Sequence, residues 1–161
     1  MRKVIILSGI PGSGKSSWAS RYFVENRYLL AEFFSADFFF ICPDGKYLFN
    51  RSRLPEAHAE CLKMFSTAVL STDEGPKPRV LLVDNTNTSA LEIAPYAALA
   101  LAWGWELEIW TFKCPPELGA ARNVHGVPLK TCKDMAERLA NRRLPPYWTK
   151  YERVVEVAEG P

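Results

Sequence analysis

Gly9-Ile10-Pro11-Gly12-Ser13-Gly14-Lys15-Ser16 reads G-x-x-x-x-G-K-S, a spacing suited to gripping a chain of phosphates. Glycines let main-chain N–H groups turn inward around phosphate oxygens, and a helix that starts at the loop adds the positive end of its dipole. Gly9, Pro11, Gly12, Ser13, Gly14, Lys15, Ser16 and Ser17 are therefore candidate contacts for ATP. Lys15 is placed to reach the β- and γ-phosphates, and the Ser16 hydroxyl to ligate Mg²⁺. A glycine turn that binds nothing is the alternative. The flanks favour binding: Val4-Ile5-Ile6-Leu7 precedes the motif as a buried strand would, and Ser17 to Phe23 follows with helical spacing.

Asp84 closes the apolar run Val80-Leu81-Leu82-Val83, where an acid helps hold Mg²⁺ beside such a loop. Asp also ends strands as an ordinary turn residue. Asn85, Thr86 and Asn87 come next, either as turn formers or as groups that fix water, Mg²⁺ or an acceptor. Asp37, in Ser35-Ala36-Asp37, is a candidate base for a hydroxyl acceptor; an N-cap role fits its position equally. Arg122 is a candidate cation for the transferring phosphate, since phosphoryl transfer rests on positioning and charge. Arg138, Arg142 and Arg143 are placed on the next helix, the first two one turn apart. They are read as phosphate contacts or as a solvated basic face, the latter for Arg143. Phe38, Phe39, Phe40, Tyr47 and Phe49 are core candidates by type, and one or two of them, Phe39 among these, can stack on an acceptor base.

Elements must bring these residues together. Strand-like runs alternate with helical ones, which predicts an α/β fold with a mostly parallel sheet. Strands are expected near residues 3–8, 29–35, 80–84, 105–112 and 154–157. Helices are expected near 15–26, 54–70 and 89–103, with Gly104 as a stop, then from Pro115 through Arg122 and from Leu129 to Arg142. Pro43-Asp44-Gly45-Lys46 predicts a small hairpin or loop within 36–50, and residues 73–78 read as a loop.

The 161 residues suit one domain over the whole chain. A domain of that size hides roughly 70% of its unfolded surface, enough for a real core. A net charge of +2 excludes a global basic field of the kind avid duplex binders carry. Cys42, Cys61, Cys114 and Cys132 form no C-x-x-C pair, and with His58 and His125 they complete no metal spacing. Free thiols in a reducing compartment are expected. With no signal-peptide pattern and no membrane-length apolar run, a soluble cytoplasmic protein is expected, without membrane contact or an obligate protein partner.

Together these residues resemble the polynucleotide 5′-kinase family of P-loop kinases, in its phage-type branch. They are also similar to the kinase-like domain of cyclic-nucleotide phosphodiesterases and to a group of small predicted kinases. Lys3 to Leu7 through Gly14-Lys15-Ser16-Ser17-Trp18-Ala19 resembles the phage-type opening, and Ser35-Ala36-Asp37 the position of its base. Asp84-Asn85-Thr86-Asn87-Thr88, Ala94-Pro95-Tyr96 and Arg122-Asn123-Val124-His125-Gly126-Val127-Pro128 resemble the predicted-kinase group. Coverage runs from about residue 2 to 143. The resemblance implies an adenylate-kinase-like P-loop NTPase fold, three layers α/β/α, with a mostly parallel five-stranded sheet and a helical lid over about 115–143. It implies Asp37 as base, Lys15 and Ser16 for phosphates and Mg²⁺, and Arg122 as lid arginine. Two departures stand out. Phe38, Phe39 and Phe40 fill the stretch where the phage-type pattern has an arginine, and the second lid arginine near His125 is missing.

The expectation is a kinase that uses ATP and Mg²⁺ to phosphorylate a 5′-hydroxyl of RNA or DNA, with a terminal or single-stranded acceptor. The alternatives are a kinase for a nucleoside or other small metabolite, and a nucleotide-dependent binding module without transfer.

Overall fold

A computed structural model describes residues 1–71, 75 and 77–158. Among these, β1 (Arg2–Gly9), β2 (Leu30–Phe34), β3 (Arg79–Asp84), β4 (Glu106–Lys113) and β5 (Glu152–Glu156) form one sheet. Its order is β2-β3-β1-β4-β5, and every pairing is parallel. Parallel neighbours need crossovers, which the helices supply. These are α1 (Lys15–Glu25), α2 (Leu54–Leu70), α3 (Ala90–Ala102), α4 (Pro116–Arg122) and α5 (Leu129–Ala140).

Central strands covered on both faces read as continuous apolar runs, as β1 and β3 do. Successive side chains then point to opposite layers. Val4, Ile6, Leu81, Val83, Leu107 and Ile109 pack with Phe65 of α2 and Ile93 and Ala97 of α3. Ile5, Leu7, Val80, Leu82 and Phe112 pack with Ala19 and Trp18 of α1. Each fully buried Ile, Leu or Phe contributes about 1.5–3 kcal/mol. A one-residue slip would exchange the two sets, so the pattern pins the register.

Residues 36–50 hold a 3-10 turn over Ala36–Phe40 and then a small antiparallel bridge, Ile41 to Tyr47. The expected hairpin is thus preceded by a helical turn. Its N-cap is Ser35, whose side chain accepts from the Asp37 N–H at 3.2 Å. Asp37 is therefore freed from the capping role that its position also allowed. Of the loop expected at 73–78, Asp73, Glu74 and Pro76 lie outside the described residues. α5 ends at Ala140, so Arg142 lies beyond the helix rather than on it. Among the described residues no helix is long and apolar enough to cross a membrane. All four cysteines are unpaired thiols.

Candidate active site

The glycine loop joins β1, the central strand, to α1 at the carboxyl edge of the sheet, where ligands of open α/β sheets gather. Gly12 takes φ 75, which L side chains resist, and a Cβ there would collide with the Gly119 carbonyl of α4. A Cβ on Gly119 would in turn lie 2.6 Å from the Pro11 carbonyl oxygen. Two glycines therefore let α4 rest directly on the loop.

The start of α1 has no side-chain cap, whereas Ser89 and Glu92 cap α3 with a full capping box. The Ser13 hydroxyl is buried and finds no hydrogen-bond partner among the described residues. An uncapped helix start beside an orphaned hydroxyl fits an oxyanion such as phosphate. Lys15 is buried, and its Nζ donates to the Gly9 and Ile10 carbonyls at 2.9 and 3.0 Å. Burial lowers its pKa, and the carboxylates of Asp84 and Asp37 work against that shift.

The Ser16 hydroxyl donates to Asp84 Oδ2 at 2.7 Å. A hydroxyl and a carboxylate, both hard oxygen donors at the mouth of the loop, fit Mg²⁺, which takes one or two protein oxygens and fills its shell with water and phosphate.

These groups line a cleft of about 810 Å³. On the β4–β5 side its walls include Trp18, Arg21, Phe112, Met135, Arg138, Val155 and Val157. On the β2–β3 side they include Asp37, Tyr47, Phe49, Leu54 and His58. Arg122, exposed at the end of α4, lines the same cleft with Asn123, Val124 and His125. Asp37 accepts a hydrogen bond from the Tyr47 hydroxyl at 3.0 Å, and His125 Nε2 lies 3.6 Å from its other oxygen. Burial, and then the charge and hydrogen bond of Asp37, hold the Tyr47 phenol above its ordinary range, so it stays a donor.

Of the candidate ATP contacts on the glycine loop, Gly9 does not itself line the cleft; its N–H donates to the Thr86 carbonyl at 2.8 Å. Three acceptor candidates are used elsewhere. Asn85 touches the cleft, but its Oδ1 accepts from the Ala36 N–H at 2.8 Å, anchoring the turn that carries Asp37. Asn87 turns away with φ 44, is buried, and donates to the Leu7 carbonyl at 2.7 Å. Phe39 packs against the core under the Arg53 guanidinium, 4.5 Å from the ring centre, and does not line the cleft. Thr86, the remaining member of that group, lines the cleft.

Arg142 also departs from the phosphate-contact reading. Its guanidinium donates to Ser8 Oγ, to the Asn87 carbonyl at 3.2 Å, to Thr111 Oγ1 at 2.8 Å and to Glu152 Oε1. A buried cation needs that many acceptors, and they hold it inside the protein.

His58 and His125 reach the cleft without having been assigned a site role from sequence, where they stood only as an incomplete metal set. Tyr47, read there as core or as a stacking surface for a base, also lines the cleft and bonds Asp37. The Asn123-to-Pro128 break carried the usable signal for His125, because a break between two helices leaves its residues in a connecting loop free to face the cleft.

The comparisons agree with this architecture. A family model described as AAA domain matches residues 4–140. Human NEDD4-binding protein 2 is 33% identical over 140 residues, which cover 83% of this chain and 7% of that protein. The chain thus spans a small part of that relative's length. Among solved structures, the Pnkp1/Rnl/Hen1 RNA repair complex aligns with a TM-score of 0.62 at 20% identity, covering 86% of this chain and 44% of the other. The Mycobacterium tuberculosis APS kinase CysC, solved with AMPPNP and APS, aligns at 0.59 and 19% identity over 99% of this chain and 91% of its own. A gluconokinase from Sinorhizobium meliloti aligns at 0.55 and 19% identity over 99% and 85%. The chain belongs to the AAA-domain family, in the P-loop kinase-like fold that these structures share.

Proposed function

We propose that the whole chain works as one ATP- and Mg²⁺-dependent kinase domain that phosphorylates a 5′-hydroxyl of RNA or DNA. One observation carries the reading: the Asp37 carboxylate shares a cleft with the glycine loop, on the side opposite Trp18, Val155 and Val157. The apolar side suits the nucleoside of ATP, the loop its phosphates, and the Asp37 side the acceptor. The acceptor oxygen attacks the γ-phosphorus in line as its proton passes to Asp37. The bond from the γ-phosphorus to the bridging oxygen breaks, and ADP leaves. Lys15 and Arg122 hold the charge that spreads over the transferring group, with Arg138 toward the nucleotide. Mg²⁺, held by Ser16 and Asp84, would neutralise the β- and γ-oxygens.

Tyr47 and Phe49 favour a strand as acceptor. Their rings lie nearly parallel, 13° apart with centroids at 6.4 Å, and Phe49 is exposed. A flat aromatic face grips an unpaired base without needing a strongly basic groove. Four unpaired thiols fit a reducing, cytoplasmic setting.

The test is transfer of radiolabel from γ-labelled ATP to a panel of 5′-hydroxyl RNA and DNA oligonucleotides, free nucleosides and gluconate. Label on the oligonucleotide 5′ end is the expected result. Label on small molecules alone would make the chain a metabolite kinase. ATP binding without label on any hydroxyl would make it a binding module.

A further inference from the structure

His125 belongs to the lid, yet its imidazole reaches the acceptor side of the cleft. Nε2 lies 3.6 Å from Asp37 Oδ2, and the ring sits 4.7 Å from that of Tyr47, whose hydroxyl occupies Asp37 Oδ1. Both carboxylate oxygens are thus addressed from different segments, one from the Ile41–Tyr47 bridge and one from the lid. The side chain is 38% exposed, so burial does not account for its position.

The loop that carries it is built to hold still. Asn123 Nδ2 donates to the Ala120 and Val127 carbonyls at 2.9 and 3.1 Å, and its Oδ1 accepts from the Val127 N–H at 2.7 Å. One side chain therefore ties both ends of the segment. Val124 points into solvent, 88% exposed, while His125 turns to Asp37. Arg122 immediately precedes Asn123, so the cation and the imidazole sit on one hydrogen-bonded segment.

We propose that His125 is a positioning residue for the transfer, orienting the Asp37 carboxylate together with Tyr47 and reporting lid placement to the base. This role rests on the kinase reading of the cleft. Asp37 needs a free lone pair aimed at the acceptor hydroxyl. A donor on each side of the carboxylate restrains its plane, Tyr47 through a hydrogen bond at 3.0 Å and His125 from 3.6 Å. An acceptor is then deprotonated efficiently only when Arg122 is also in place.

The test measures kcat and KM of the full chain on the best acceptor of the panel, for His125→Ala, His125→Gln, Asp37→Asn and the double variant Asp37→Asn/His125→Ala. His125→Ala is expected to lower kcat about 10- to 100-fold, with the KM for ATP within about twofold and the melting temperature unchanged. Glutamine, which keeps a donor, is expected to restore part of the rate. In the Asp37→Asn background, removing the imidazole is expected to cost nothing more, because the two act as a unit. A wild-type kcat in His125→Ala, or a full additional loss in the double variant, overturns the role. If Asp37→Asn is inactive while His125→Ala is normal, only the His125 proposal falls. If Asp37→Asn retains wild-type transfer, the assignment of the base falls and this role with it.

Discussion

Lys15 combines burial with contact to the loop's own carbonyls, and its charge state should set the pH range of nucleotide binding. Burial lowers its pKa below the ordinary lysine value, so the ammonium is lost earlier as pH rises. ATP affinity then weakens as pH climbs through that lowered value, whereas Lys15→Met binds weakly at every pH. Titration calorimetry from pH 7 upward checks this. The unfolded chain holds the Lys15 proton more tightly than the folded one, so through the same window this group adds stability as pH rises. Lys15 itself therefore does not drive unfolding in that window. The glycine loop carrying Lys15 and Ser16 between β1 and α1 was legible from sequence because the motif is local. The Asp37–Tyr47–His125 cluster was not, since three distant segments meet only once the sheet edge and the lid are built. Which of its two readings Asn87 would follow, turn former or site group, was open for a related reason. Nothing local says that an Asn after β3 will bury its amide against a carbonyl of β1, the neighbouring strand in the sheet.

Among the elements, α4 is the one whose position depends on a missing side chain. Gly119→Ala would place a methyl 2.6 Å from the Pro11 carbonyl oxygen and 2.7 Å from Ile10 Cδ1. The helix has to lift off the loop, at a cost of about 1–3 kcal/mol, and it takes Arg122 with it. A lower melting temperature together with weaker ATP binding is expected; unchanged ATP affinity would mean that the lid does not brace the loop. At α3, Ser89→Ala removes the capping box and should cost about 1 kcal/mol in chemical denaturation, with ATP affinity intact. Strands and helices were readable from period and breakers, including the Asn123–Pro128 interruption of the lid. The 3-10 turn at Ala36–Phe40 was not, because a run of phenylalanines shows neither period.

Across the whole molecule, Arg142 joins β1, the loop after β3, β4 and β5 through Ser8, Asn87, Thr111 and Glu152. Its side chain is 4% exposed, so deleting its carboxylate partner leaves a buried cation. Glu152→Ala should cost about 3 kcal/mol, a fall in melting temperature of roughly 6–12 °C for a chain of this size. Arg142→Met should lose less. If Glu152→Ala melts like the wild type, this network does not hold the sheet together. A basic residue near a phosphate loop invites a phosphate role from sequence, and only tertiary placement shows this one facing inward. The proposed transfer depends on the Asp37 carboxylate that shares the cleft with the loop. The most direct measurement is the rate of γ-phosphate transfer by Asp37→Asn, taken beside its ATP affinity. ATP affinity within about threefold of wild type and transfer reduced by about 10²- to 10⁴-fold is the expected pair of results. Transfer near the wild-type rate would contradict it.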